Sequence, residues 1–285
     1  MKPATINKLL RFLLGHLRFL TAVLALIFAC TFVFVTLNVK NANALFQQAQ
    51  EEMGTGQPDE ALETLQRLER EFPAWGRMEE AFYLQGNILY FHKNDIPNAI
   101  ERWERVLKIN PASPHGYTIR VRLAEIYQDV VGDTAEAVRQ WKSVIRLYPK
   151  DPEVPRFRMN LADCYVKLDQ YEVALLELKN LIRQTSDEHI RQQATIHVAA
   201  IYYLRKSYKE ARATLEPVVE HPHCADCRNT ALLIYSDILE IQEDYDKAVD
   251  ILGQIPDNIL SQQKKQERID GMRRKTLPEP SRSGR

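Results

Sequence analysis

The sequence has little of what most catalytic sites require. It contains ten glycines in 285 residues, and none of them belongs to a phosphate-binding loop or a dinucleotide-binding fingerprint. It also has no G-x-S-x-G nucleophile motif and no H-E-x-x-H metal motif. The formal net charge is zero, which gives no electrostatic case for nucleic-acid binding. These absences predict a protein that is not an enzyme, has no cofactor and does not bind nucleic acid.

An alanine recurs along the chain at a nearly constant interval. Four residues after each of these alanines stands a leucine or a tryptophan, and the surrounding segments show the apolar periodicity of two helices joined by a tight turn. The clearest copy runs from Arg156 to Ile182. The alanines are Ala61, Ala99, Ala137, Ala174, Ala211 and Ala248, at intervals of 38, 38, 37, 37 and 37 residues.

Small residues also recur on the first helix of each copy, twelve positions before the alanine. They indicate that the two helices approach each other closely at this point. These residues are Ala49, Ala162, Ala199 and Ser236, with Asn87 as a larger exception, and Ala124 joins them if one residue is inserted near Val130-Val131-Gly132.

The pattern resembles the tetratricopeptide repeat, a helix-turn-helix unit with small residues at the crossing and proline after the second helix. Here the prolines are Pro73, Pro111, Pro149 and Pro222. The period exceeds the usual 34 residues, and in this it is similar to bacterial envelope repeats: the lipoprotein of the outer-membrane assembly machine and the periplasmic coordinator of the Tol system. The resemblance implies an all-α solenoid of about six repeats over residues 42–260, approximately at 42–73, 80–111, 117–149, 155–186, 191–222 and 228–256.

The segment from Phe19 to Leu37 contains 19 residues without a charge. As a helix it is about 28 Å long, which is enough to cross a typical hydrocarbon core. Residues 1–18 carry four basic residues and no acidic one, so the positive-inside rule places the N-terminus in the cytoplasm. We therefore expect a transmembrane helix over residues 19–39 of a bacterial inner membrane, with the repeats in the periplasm.

Two processing events compete with a retained membrane anchor. Ala42-Asn43-Ala44 has the form of a signal-peptidase site, and Cys30 lies in a faint lipoprotein box. The apolar run is longer than the core of a signal peptide, and it continues beyond Cys30 where a lipoprotein becomes polar. The retained anchor is therefore favoured.

The C-terminal segment, residues 261–285, has a different composition. Ser261 to Met272 is a candidate polar helix that caps the solenoid, and Pro278 and Pro280 end any helix beyond it. From Lys264 onward the segment carries eight basic residues and three acidic ones. A solvated basic tail is the favoured interpretation, and an anionic lipid or acidic partner is the alternative.

A short cluster, His221, His223, Cys224 and Cys227, combines a C-x-x-C motif with two histidines. In an oxidising periplasm the cysteines favour a local disulfide, while a zinc or copper site and a thiol-exchange role are alternatives. All four donors lie within seven residues, whereas zinc sites usually join ligand pairs a dozen or more residues apart. Redox exchange is typical of such a motif at a helix start beside a βαβ unit.

The concave face of the solenoid, lined by the first helix of each repeat, is the expected partner site. The sequence predicts a non-enzymatic scaffold for an envelope complex in assembly, secretion, division or appendage machinery. The alternative is an accessory protein for cytochrome or metalloenzyme maturation that uses the His221 to Cys227 cluster. The predicted groove residues are Leu84, Ile88, Phe91, Gln128, Arg156, Asp163, Gln193, Ile196, Tyr203 and Asp237.

Overall fold

The computed structural model describes the backbone of residues 3–276 and the side chains of residue 24 and residues 26–275. Within this part of the chain there are thirteen α-helices, one π-helical turn and no strand, which confirms the all-α prediction. Two compact units, Met1–Gly116 (unit 1) and Tyr117–Arg285 (unit 2), divide the chain. The helices are α1 (Pro3–Gly54), α2 (Pro58–Glu71), α3 (Met78–Phe91), α4 (Ile96–Ile109), α5 (Gly116–Ile126), α6 (Thr134–Leu147), α7 (Val154–Lys167), α8 (Tyr171–Gln184), α9 (Glu188–Leu204), α10 (Tyr208–Glu220), α11 (Ala225–Ile241), α12 (Tyr245–Gln254) and α13 (Gln262–Thr276).

Consecutive helices pack as antiparallel pairs in both units. In unit 1 the end of α1 pairs with α2, and α3 pairs with α4. In unit 2 the pairs are α7 with α8, α9 with α10 and α11 with α12, while α6 follows the π-helical turn and packs on it. The recurring alanine on each second helix is fully buried in all six copies. Only a methyl group separates the two helices there, so their backbones can approach closely.

The first helix, α1, has two different parts. Its apolar side chains between Leu24 and Val39 are largely exposed, and the section Leu26–Gly54 is long and apolar enough to cross a membrane. The predicted span begins at Phe19, so its first side chains lie outside the described residues. No break separates the two parts of α1, which is about 78 Å long.

The second part of α1 is the first helix of the first repeat. Ala42, Phe46 and Ala49 are buried on the side that packs against α2. Trp75, in the loop after α2, donates from its indole nitrogen to the side-chain oxygen of Asn43 over 3.1 Å. The Arg77 guanidinium lies 5.1 Å from the ring centre of Phe46. These contacts fix residues 42–49 to the remainder of the repeat.

The inserted residue of the third repeat appears as a π-helical turn, Tyr127–Val131, directly after α5. A π-helical turn accommodates one extra residue without ending the helix. Gly132 follows with a φ of 77° and ends it. The insertion therefore lies where the sequence predicts it.

Every turn between paired helices contains one residue in the left-handed region, five positions before the buried alanine. Two of these turns are followed by N-caps, since the side chains of Asp95 and Asp133 accept hydrogen bonds from backbone N–H groups of α4 and α6. The left-handed residues are Gly56, Asn94, Gly132, Asp169, Lys206 and Glu243, with φ between 52° and 77°.

In the second repeat Gly86 makes a tight contact with the facing helix. A Cβ atom at this position would lie 2.5 Å from the indole nitrogen of Trp103. A tryptophan occupies a place where four other repeats have leucine, so the facing helix has room for no side chain at this point.

Lys206 tests the importance of the left-handed turn. The left-handed conformation costs a residue with a Cβ atom roughly 1–2 kcal/mol of folding free energy. Glycine avoids this cost, but its greater freedom in the unfolded chain lowers stability by about 0.5–1 kcal/mol. Lys206→Gly should therefore stabilise unit 2 by up to about 1 kcal/mol. Lys206→Ala is the matched control, since it removes the same side chain and keeps the Cβ atom. Thermal unfolding followed by circular dichroism should give a higher midpoint for the glycine variant only. Equal midpoints in the two variants would contradict this account.

Candidate functional site

The first helices α7, α9 and α11 lie side by side in unit 2 and form a groove. Helix α9 contacts both α7 and α11, because each repeat stacks on the next through its first helix. The groove encloses about 260 Å³. Three of the predicted residues line it: Arg156, Gln193 and Ile196. The complete lining is Arg156, Met159, Asn160, Gln193, Ile196, His197, Asp226, Cys227 and Thr230.

The floor of the groove is apolar and its walls are polar. Met159 and Ile196 are buried and leave only a small apolar surface. Asn160 and Gln193 are half-buried, and each carries an amide that both donates and accepts hydrogen bonds. This combination suits a polypeptide segment, which brings apolar side chains and backbone amides together.

Two charged side chains at this groove, Arg156 and Asp163, are already paired within unit 2. Arg156 donates to Glu153 over 2.7 Å, and its guanidinium lies 5.0 Å from the ring centre of Phe157. Asp163, a predicted groove residue, lies with its Oδ1 atom 2.9 Å from Nδ1 of His197. Sequence reasoning missed His197, although its position 34 residues after Asp163, close to one repeat length, indicates that the two face each other.

Tyr203 and Asp237 form a second group, which α13, the last helix of the described residues, covers. Arg268 of α13 donates to Asp237 over 2.7 Å and to Glu240 over 2.5 Å. Burial, and then the charge of Asp237, raise the pKa of Tyr203. Asp237 is therefore bound to the capping helix, and a partner would have to displace Arg268 to reach it.

Gln128 does not line the groove. Its side-chain oxygen accepts from the indole nitrogen of Trp141 over 2.8 Å, and Cys164 Sγ lies 3.3 Å from the same oxygen. Trp141 and Cys164 are fully buried, and burial raises the pKa of the Cys164 thiol to about 11. Gln128 is a packing residue, because it satisfies the buried indole.

The three predicted groove residues of unit 1 all lie on α3. Ile88 is fully buried, and Leu84 is half-buried. Phe91 is 58% exposed, and its ring packs edge-on against Tyr90 with 5.0 Å between the ring centres. Among the three, Phe91 therefore presents the large apolar surface.

In the His221 to Cys227 cluster, the structure pairs the two cysteines with each other and leaves the two histidine side chains exposed. Cys224 and Cys227 are joined by a disulfide, and Cys224 is the N-cap of α11, so the motif lies at a helix start rather than wholly within a loop. The side chains of His221 and His223 are exposed. Another histidine, His189 at the start of α9, has its Nδ1 atom 3.6 Å from Cys227 Sγ. Sequence reasoning missed His189, although it lies 38 residues before Cys227, almost one repeat length.

Known proteins share both the sequence pattern and the fold of this chain. A family model described as tetratricopeptide repeat matches residues 46–127 and 129–189, which together make up half of the chain. No curated protein matches the sequence.

Solved structures match over most of the chain at low identity. The crystal structure of PilW, a widely conserved type IV pilus biogenesis factor, has 18% identity and a TM-score of 0.50, and the match covers 80% of this chain and 98% of PilW. A tetratricopeptide repeat protein from Parabacteroides merdae has 16% identity and a TM-score of 0.53, with 83% and 92% covered. The structure of Naa15/Naa10 bound to HypK-THB has 17% identity and a TM-score of 0.61, with 84% of this chain and 35% of that chain covered.

The different positions of Gln128 and Gln193 lead to a stability test. Gln128→Ala leaves the buried Trp141 N–H without its acceptor and should destabilise unit 2 by about 1–3 kcal/mol. Gln193→Ala, the matched control on the groove wall, should change stability by no more than about 0.5 kcal/mol. Thermal unfolding of the two variants measures the difference. A loss of about 1–3 kcal/mol in both variants would show that Gln193 is also a packing residue.

Proposed function

Because this chain belongs to the tetratricopeptide repeat family, we propose that it is a non-enzymatic scaffold that binds a protein partner in the groove between α7, α9 and α11. The observation that carries this proposal is the composition of the groove, an apolar floor at Met159 and Ile196 between the amides of Asn160 and Gln193. The partner is an extended or helical segment that places one or two apolar side chains on the floor.

The pairing of Arg156 and Asp163 favours a partner segment of low charge at these two positions. Arg156 is bound to Glu153, and Asp163 faces His197. A charged partner would have to compete with these contacts, whereas a polar segment can hydrogen-bond to the amides without breaking an ion pair. Specificity then comes from the fit to the floor and the amides.

The second part of the proposal is that α1 anchors the scaffold in a bacterial inner membrane, with the N-terminus in the cytoplasm and the repeats in the periplasm. The exposed apolar side chains from Leu24 to Val39 support the anchor. The basic residues before the segment support the orientation.

The packing of α1 supports a retained anchor over cleavage after Ala44. Cleavage there would remove the buried Ala42 and the Asn43 acceptor of the Trp75 indole. The remaining chain would then begin inside the helix that packs on α2, one turn before Ala49. A mature protein cut at this point would lose part of its first repeat.

The pathway that we propose is envelope assembly of the appendage type. The fold is similar to that of PilW, a type IV pilus biogenesis factor, over nearly the whole length of PilW. We therefore propose that components of an envelope appendage machine are the first partners to test.

Photo-crosslinking in intact membranes tests the groove. A photoreactive amino acid at Gln193 should give a discrete adduct with one set of envelope proteins, which mass spectrometry identifies. The matched control is the same amino acid at Ala213, an exposed position on the second helix α10. Adducts of the same pattern from both positions, or none from Gln193, would refute the groove as the binding site.

Reporter fusions test the anchor and its orientation. Alkaline phosphatase fused after residue 276 of the full chain should be active, because this enzyme folds only after export. The same fusion after Arg18 should be inactive, since that residue precedes the apolar segment. Removing residues 1–44 should release the reporter from the membrane fraction or prevent its export. An active Arg18 fusion would contradict the proposed orientation.

A further inference from the structure

A further histidine, His189, changes the chemistry of the C-x-x-C motif. The donors that are close in sequence all come from one short segment, which is an unusual arrangement for a metal site. His189 belongs to α9 and lies 35 residues before Cys224, so it adds a donor from the neighbouring repeat. The cluster therefore joins two chain segments, as metal sites that hold a fold together do.

One pair of donor atoms, on His189 and Cys227, has the separation found around a tetrahedral ion, while the two sulfur atoms are bonded to each other in the disulfide. The ligand atoms of His189, Cys224 and Cys227 all lie within 4.8 Å of one another. Around a tetrahedral zinc ion, with Zn–S near 2.3 Å and Zn–N near 2.0 Å, sulfur and nitrogen ligands are about 3.5–3.8 Å apart. The 3.6 Å between His189 Nδ1 and Cys227 Sγ already lies in this range.

The surrounding contacts hold the two segments in place. Gln192 of α9 is buried, and its side-chain amide donates to the backbone oxygen of His221 and accepts from the backbone N–H of His223. One side chain therefore ties the loop before Cys224 to the helix that carries His189. Such outer contacts orient metal ligands and reduce the cost of assembling the site.

The N-terminus of α11 also favours the thiolate form of the cysteines. Cys224 caps α11, and its sulfur accepts a hydrogen bond from the backbone N–H of Cys227 over 3.0 Å. A helix N-terminus stabilises a thiolate, which is the form that binds metal. Cys224 is half-buried and can be reached from solvent, whereas Cys227 is buried.

We propose that His189, Cys224 and Cys227 bind a thiophilic metal ion, with Zn²⁺ as the probe, when the two cysteines are reduced. Three protein ligands leave the fourth position of a tetrahedral ion to water. Each cysteine releases one proton on binding, while His189 binds through its neutral imidazole. The site goes beyond the scaffold function and does not depend on it.

The disulfide and the metal site exclude each other because they use the same two sulfur atoms. Reduction of the disulfide by a dithiol donor forms two thiols in this chain and one disulfide in the donor, with the transfer of two electrons and two protons. Zn²⁺ then replaces the two thiol protons. The oxidation state of the pair thus decides whether the metal binds.

Cobalt titration of the full-length chain in detergent tests the proposal. After reduction and removal of the reductant without air, Co²⁺ should give sulfur-to-cobalt charge-transfer bands and the visible bands of a tetrahedral ion, at one ion per chain, and Zn²⁺ should abolish them. The oxidised chain should give none. Far-ultraviolet circular dichroism checks that the reduced chain stays helical.

Two histidine variants make the test specific. His189→Ala should weaken Co²⁺ binding by at least the roughly 10- to 100-fold that the loss of an outer-shell contact costs. His221→Ala is the matched control and should bind as the native chain does, because His221 contacts Gln192 through its backbone oxygen. Equal affinity of the His189→Ala and native chains would overturn the proposal, as would the absence of charge-transfer bands or a loss of helix on reduction.

Discussion

The structure depends on the close approach of two helices at a single methyl group, repeated six times. Each alanine of this set is fully buried, so a larger side chain would push the paired helices apart. The turn that precedes it is constrained as well, since its left-handed residue is always five positions earlier. One short segment thus sets both the direction in which the second helix begins and the distance at which it packs. The constant five-residue offset between turn and alanine follows from these two constraints.

Much of the fold could be predicted from the sequence, because the residues that determine it are small, apolar or turn-forming and recur at one interval. The alanines and the inserted residue near Val131 are both of this kind. The left-handed residues of the turns could be predicted from the sequence only in part. Glycine, asparagine and aspartate occupy four of them, but Lys206 and Glu243 occupy the others and carry no such signal.

The candidate site was less predictable because its properties depend on how far side chains reach. A repeat frame places Gln128 on a first helix, but it does not show that the large Trp141 ring extends to it. It places Asp237 on the inner face, but the position of Arg268 depends on a helix outside the repeat. A buried or half-buried polar group finds a partner wherever the fold provides one. Gln128 and Asp237 each find that partner in a large side chain, Trp141 and Arg268, and the repeat pattern does not show how far those side chains reach.

The unbroken course of α1 gives the spacing between its apolar part and the first repeat a geometric meaning. In a continuous helix each residue turns the chain by about 100° and advances it by about 1.5 Å. Adding or removing one residue between Val39 and Ala42 would therefore rotate the face that packs on α2 by more than a quarter of a circle relative to the apolar segment. The number of residues in this junction therefore fixes both the rotation of the first repeat about the axis of α1 and its distance from the apolar segment. A flexible linker of the same length would set neither.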